Sequence, residues 1–465
     1  MSALYGIDEI VAATGGEARD IAVETVSSIS IDSREIAAGA LFVAIRGENF
    51  DGHDFVARAI EAGAVAALVS RDKAEALSGL PLIVVEDALE GLYGLATFSR
   101  SRTRARIIAV TGSVGKTSTK EAMRVALEAS GKTHASIKSF NNHWGVPLML
   151  ARMPADAEFG VFEIGMSAAG EITPLSRLVR PHVAVVTTVA PAHLEFFASE
   201  AAIADAKAEI FSGVEPGGLA IIGRDHAHVE RLAGVAEAAG LETLSYGFAD
   251  ADVTISDYRV TRDGATGHVE GDGLSLDLSI ATGGRHMLAN GVAALLAARA
   301  VGGDVQKAMA ALAGHGAPEG RGAAILLGDP GHPIRLIDES YNANPTSMRA
   351  ALEVFATMPT EGRRIVVLGD MRELGAASAD YHAGLADAVV AARPHLVFLV
   401  GEHMAKLADA LPAALVAGRA QAVDEIGEAV LETLAPGDSV MLKGSNGVKL
   451  GSLVARIRDR FGGRK

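Results

Sequence analysis

One stretch constrains this 465-residue chain more than any other: AVTGSVGKTSTKEAM, from Ala109 to Met123. The apolar run RIIAV leads into it, and a segment with helical spacing leads out. The common phosphate-loop pattern is G-x-x-x-x-G-K-[ST]. Here Gly115, Lys116 and Thr117 are in place, Val110 stands where the first glycine would be, and an added Gly112 lies three residues before Gly115. A strand that ends in glycines and opens a helix aims free backbone N–H groups and the positive helix end at one point, which suits a phosphate. Lys116 adds a point charge, and the Thr117 hydroxyl is placed to ligate Mg²⁺. The plainer alternative is a tight strand–helix turn with an exposed lysine. The flanking strand and helix and the intact G-K-T favour the phosphate reading, in a shorter G-x-x-G-K-T form.

Such a loop belongs at the mouth of a parallel α/β sheet, and the rest of the chain supports that class. The length exceeds one core. Residues 1–102 alternate strand-like SSISID, ALFVAIRG, VAALVS and LIVVED with helical DFVARAIEAGA, a small α/β domain closed by the helix ALEGLYGLATFSRSR. Residues 103–316 hold the loop and the apolar strands FGVFEIG, HVAVVTTVA and GGLAIIG, a doubly wound, mostly parallel sheet. From about Asp252 the pattern alternates instead, predicting antiparallel hairpins that turn at Asp263-Gly264 and Asp272-Gly273, then a helix from His286 to about Ala300. The glycine-rich GHGAPEGRG marks a boundary, and residues 317–465 repeat strand and helix as a second doubly wound, Rossmann-like domain.

Charge excludes some partners. The chain has 57 acidic against 42 basic residues, a net charge of −15, which argues against general nucleic-acid binding but not against a local basic pocket. It has no cysteine, hence no disulfide framework and no thiolate chemistry. The N-terminus carries Asp8 and Glu9 where a secretion signal would be basic and then apolar. The longest alanine-rich stretch is broken by Asn290 and Arg299, below membrane-spanning length. These features describe a soluble cytoplasmic chain with no membrane span, expected to work as a monomer.

Several residues outside the loop can carry chemistry. Glu163 ends the apolar strand FGVFE, where open α/β sheets gather ligands, so it is a metal-ligand candidate or else a solvated strand-end carboxylate. His193 follows another strand in the same way; alone it reads as structural, and together with Glu163 it reads as a site. Lys207, on a helix farther along, is by itself a solvated surface lysine. FNNHWGVP is by itself a stiff polar turn. LIDESYNANP gathers Asp338, Tyr341, Asn342 and Asn344 in one loop, and Arg321 sits at the interdomain break, where a guanidinium can close over phosphate.

Taken in order, TGSVGKTS, NNHWGVP, FEIGMSAAGEI, PAHLEFF, ADAKAEIF, GRHMLAN and DESYNANP resemble the motifs of the Mur ligases, ATP-dependent amide-forming enzymes of peptidoglycan precursor synthesis. The likeness spans nearly the whole chain. GMSAAGEI, SYNANP and VLGDMRELG are most similar to the member that adds D-alanyl-D-alanine to UDP-N-acetylmuramoyl-tripeptide in bacterial cell-wall formation. The resemblance implies that Gly112, Ser113, Gly115, Lys116, Thr117 and Ser118 hold the ATP phosphates, with Asn290, Arg321, Asp338, Tyr341 and Asn342 completing the ATP site. It implies that Thr117, Glu163, His193 and Lys207 hold one or two Mg²⁺ ions, and that Lys116, Glu163, His193 and Lys207 are the catalytic set. Lys207 would be carbamylated, which turns a cation of pKa about 10.4 into a carboxylate-like ligand. Ser33 and Arg34 of the DSR motif, with Asn142, would face the UDP substrate.

Two departures stand out: Glu339 replaces a second aspartate, and Asn446 stands where many members have arginine, so no residue is assigned to the dipeptide carboxylate. The implied chemistry is activation of the tripeptide carboxylate as an acyl phosphate, followed by attack of the dipeptide amine. The alternatives are a sibling ligase, a folylpolyglutamate-type synthetase, or a regulatory protein that binds ATP without ligating.

Overall fold

The computed structural model describes residues 3–261 and 264–462. Among them, strands gather into three main sheets and one small two-stranded ribbon. The first sheet orders Glu17–Arg19, Leu82–Val85, Ala64–Ser70, Ala40–Val43 and Ser28–Ser30, parallel except for the edge strand Glu17–Arg19. The second runs Leu274–Ile280, Gly264–Gly271, Val253–Thr261, Glu242–Gly247, Leu219–Gly223, Val183–Val186, Arg106–Thr111, Phe159–Glu163 and Thr133–Ala135. Its first three strands pair antiparallel and the rest parallel, as the alternating stretch predicted. Asp272 and Gly273 make the expected turn with φ of 49° and 73°, the left-handed pair of a two-residue hairpin. Of the other turn, Asp263 lies outside the described residues.

The third sheet orders Ala323–Leu327, Ile334–Glu339, Ser439–Lys443, Arg364–Gly369, Leu396–Val400 and Val416–Ala420, parallel but for its first strand. Helices cover both faces, and apolar side chains fill the two interfaces separately. The helix Pro345–Thr357 starts where Asn344 accepts from the Ser347 N–H with Pro345 in the first turn, a local stop-and-start signal worth about 1 kcal/mol.

The first two sheets share one continuous core. Tyr5, Ile10, Leu68 and Leu92 of the first pack in the same cluster as Ile107, Val146, Phe162 and Ile210 of the second. Buried polar stitches reinforce it: Tyr5 donates to Ala151 O at 2.5 Å and Arg100 Nε to Val179 O at 2.8 Å. Truncating one such core side chain costs about 2–5 kcal/mol, whereas an exposed ion pair such as Lys138–Glu35 contributes about 1 kcal/mol or less. Apolar burial therefore welds the first sheet to the loop-bearing sheet. The third sheet has its own cores and meets the second through loops and the helix Pro345–Thr357. No helix among the described residues is long and apolar enough to cross a membrane.

Candidate active site

The phosphate-type loop emerges from the strand Arg106–Thr111, which lies between Val183–Val186 and Phe159–Glu163. Val110 pairs with Glu163 on one side and Val185 on the other, so the missing first glycine is an interior strand residue. Gly112 has φ of 151°, and a Cβ there would lie 1.9 Å from Thr187 Oγ1. Gly115, at φ 90°, opens the helix Lys116–Glu128, and its Cβ would meet Asn290 Oδ1 at 2.9 Å. The loop is fastened to the exit of the neighbouring strand: Ser113 N donates to Thr188 O at 2.8 Å, Ser113 Oγ to Ala190 O at 3.0 Å, and Thr187 Oγ1 to Val114 O at 2.6 Å.

Glu163 is buried, at 1% exposure. Its carboxylate accepts from Thr117 Oγ1 at 2.9 Å and from Asn141 Nδ2 at 2.7 Å. Lys116 Nζ donates to Gly112 O at 2.6 Å. Burial, with Arg321 adding repulsion, holds the Lys116 ammonium below the usual lysine range against the pull of Glu163. Lys207, read from sequence as a solvated helix residue, is instead 2% exposed. Burial first, and the charge of Lys116 second, hold its pKa well below the ordinary value. Lys116 thus sits between the Glu163 carboxylate and the Arg321 guanidinium, a field that favours an anion with several negative oxygens.

Two adjoining cavities open from this point. One, of about 370 Å³, is walled by the loop Ser113–Ser118, Asn141, Asn142, Glu163, His193 and Asn290 from the central sheet, and by Arg321, Glu339, Tyr341, Asn342 and Lys443 from the third. Arg321 lies over the Tyr341 ring at 4.3 Å, and Lys443 pairs with Glu339 at 2.9 Å. The other, of about 440 Å³, shares Val114, Gly115, His286 and Asn290 with the first and extends between Phe248, Tyr258 and the helix carrying Thr346 and Val354. Arg285 stacks 3.8 Å over Phe248 there, a flat apolar and cationic slot beside the phosphate loop.

The expected residues do not all reach the cavity. Asp338 is buried with its carboxylate turned to the Ser340 N–H and hydroxyl, at 3.0 and 2.6 Å, and does not line it. Lys207 lies off the wall as well. Asn142 lines the cavity, but its side chain accepts from Gly145 N, and its neighbour Asn141 makes the contact to Glu163. Ser33 and Arg34 lie in the turn after the strand Ser28–Ser30 of the first sheet, where Arg34 clasps Asp32 and holds that carboxyl down to about 2. The Lys138–Glu35 pair at 2.6 Å ties that loop to the segment leading to Asn141. Sequence reading missed Asn141, Lys443, Phe248 and Arg285; only the doubled asparagine hinted at the first.

The donors fit Mg²⁺. A buried carboxylate and a hydroxyl in hydrogen-bond contact offer hard oxygens, and this ion completes its shell with water and phosphate. Among the described residues no three His, Cys, Asp or Glu side chains converge on one point.

Residues 25–95 match the Mur ligase family catalytic domain, residues 110–298 the Mur ligase middle domain, and residues 324–446 the glutamate ligase domain of the Mur ligases. The chain is 38% identical to UDP-N-acetylmuramoyl-tripeptide--D-alanyl-D-alanine ligase of Escherichia coli (strain K12) over 82% of both chains. It is 32% identical to the enzyme of the same name from Rickettsia prowazekii over 92% of this chain and 94% of that one. A crystal structure of MurF from Acinetobacter baumannii superposes with a TM-score of 0.85 at 27% identity, covering 98% of this chain and 99% of that one.

Proposed function

The chain belongs to the Mur ligase family, and on that premise we propose that it is the ATP-dependent ligase joining D-alanyl-D-alanine to UDP-N-acetylmuramoyl-tripeptide. One observation carries the chemistry. The buried Glu163 carboxylate is hydrogen-bonded to Thr117 of the phosphate loop, in a cavity whose far wall is the Arg321, Tyr341 and Asn342 surface.

An amide does not form in water from a free carboxylate, so the acid must first be activated. The tripeptide's terminal carboxylate attacks the γ-phosphorus of ATP, the bond to the bridging oxygen breaks, and ADP leaves an acyl phosphate. The neutral amine of D-alanyl-D-alanine then attacks the acyl carbon, expels phosphate and loses a proton. The loop N–H groups, Lys116 and Arg321 hold the phosphates in line and offset the charge that builds on them. Gly112 and Gly115 let the backbone come that close. The slot beside Phe248, Tyr258 and Arg285 takes the adenine, Asn290 lies at its junction with the phosphates, and Ser33 and Arg34 take the uridine end.

Thr117, Glu163 and His193 are the residues that would hold Mg²⁺, which when bound screens the β- and γ-phosphate oxygens during transfer. Lys207 supports the same site. Its depressed pKa raises the share of nucleophilic neutral amine, which would add to CO₂ and release a proton to give a carbamate. In this reading residues 1–102 bind the nucleotide-linked peptide, 103–316 bind ATP, and 317–465 close the cavity against water. The protein would act as a cytoplasmic monomer.

The test is product analysis. Purified protein given UDP-N-acetylmuramoyl-tripeptide, ATP, Mg²⁺ and D-alanyl-D-alanine should yield the pentapeptide by mass, one phosphate per product. Phosphate release with glutamate or a diamino acid in place of the dipeptide, and none with it, would overturn the assignment.

A further inference from the structure

His193 is the one proposed metal-site residue whose position depends on another domain. Its Nδ1 lies 2.5 Å from Oε2 of Glu373, which belongs to the loop VLGDMRELG after the third sheet's strand Arg364–Gly369. The contact is part of a built junction. Glu195 N donates to Glu373 O at 3.1 Å, and Leu194 packs into the apolar cluster that holds Met371 and Leu374. His193 and Glu373 both sit at left-handed backbone angles, φ 59° and 62°. Such angles cost non-glycine residues about 1 kcal/mol or more, so the surrounding contacts must hold both turns. The Glu373 loop is itself anchored, with Arg372 N donating to Ser445 Oγ at 2.9 Å.

The chemistry of the pair is directional. In this contact the Glu373 carboxylate oxygen is the acceptor. Nδ1 must then carry the hydrogen, which leaves the Nε2 lone pair free on the ring that lines the phosphate cavity.

We propose that Glu373 is a positioning residue: from the C-terminal domain it fixes the tautomer and ring direction of His193, so the cation site of the central domain is complete only when the two domains are docked as here. This rests on the reading of His193 as a ligand of the ATP-linked cation. Glu373 touches no reacting atom; it acts through the imidazole.

Two readouts beside turnover test it, in the full-length protein and in Glu373→Gln, which keeps size and one acceptor, and Glu373→Ala. With ¹⁵N-histidine labelling and His193→Ala to assign the signal, the native protein without metal should show His193 protonated at Nδ1. The alanine variant should move toward the Nε2–H form, and the glutamine variant should fall between. Mn²⁺ titrated in the presence of a non-hydrolysable ATP analogue should bind about 10-fold more weakly to Glu373→Ala. The kcat should fall while the KM for the UDP substrate and the melting temperature hold. An unchanged tautomer in both Glu373 variants sinks the proposal and leaves the ligase reading intact. If His193→Ala binds Mn²⁺ as tightly as the native protein, the ligand role of His193 is wrong and the proposal falls with it.

Discussion

Thr117 Oγ1 and Glu163 Oε2 lie 2.9 Å apart although 46 positions separate them in the chain. The contact exists because Glu163 ends a strand parallel to the one that leads into the phosphate loop, opposite Val110, and Thr117 opens the helix just beyond that loop. A carboxylate buried this deeply would cost several kcal/mol without partners. Thr117 at the start of its helix and Asn141 in a separate loop supply them, so the site's central charge is held by tertiary structure.

Removing Lys116 should abolish chemistry and spare the fold. The ammonium is buried and already depressed in pKa, so Lys116→Ala deletes little that the native state relies on. The kcat for ligation should drop by about 10²–10³, with a circular dichroism spectrum like that of the native protein. Turnover within twofold of native would refute a phosphate role.

Lys207→Ala should be inactive and partly rescued by acetate or formate, which can stand where a carbamate would. Native activity should also decline when bicarbonate and CO₂ are stripped from the buffer. Because burial lowers the lysine pKa, the share of reactive neutral amine is larger than on a free lysine, and it shrinks as pH falls. A fully active Lys207→Ala, without added carboxylate, would make the modification irrelevant.

The two nucleotide ends should separate kinetically. Phe248→Ala removes a stacking face worth about 1–3 kcal/mol, so the KM for ATP should rise at least fivefold with the KM for the UDP substrate unchanged. Arg34→Ala should do the reverse. A swapped pattern would misplace one of the two sites.

Acid should destabilise the protein through half-buried histidines. Burial holds His134, His182 and His226 at about 4, against 6.5 for a free imidazole. Above 6.5 all three are neutral folded or unfolded, and stability is complete. As pH falls from 6.5 toward about 4, the unfolded chain takes up protons that the native state refuses, so stability is lost across that window and levels off below it. His134→Gln keeps a donor for Met149 O, which His134 Nε2 holds at 2.7 Å, and should make the fall in melting temperature shallower. An equally steep fall in the variant would show that His134 does not contribute.

Much of the fold was legible locally. Period and punctuation located the strand before the phosphate loop, the helix after it, the Asp272-Gly273 turn and the helix Arg285–Ala300. These features depend on neighbours within a few residues, where backbone sterics and apolar spacing act directly. Edge strands such as Glu17–Arg19 and Thr133–Ala135 were not legible, because a short, half-exposed strand is defined by its partner and carries little pattern of its own.

The candidate site divides in the same way. The sequence by itself determined that a phosphate-binding turn sits at a sheet mouth, since glycines, lysine and threonine at that spacing leave few other uses. It did not determine that Lys207 and Glu163 are buried, that Asn141 and not Asn142 holds the carboxylate, or that Asp338 turns to Ser340. Nor did it show that Glu373 reaches His193 across 180 positions. Each of these is a pairing of polar groups, and a polar side chain carries the same local signature whether water or a distant partner satisfies it. Only the folded chain, by removing the water, decides which partner that is.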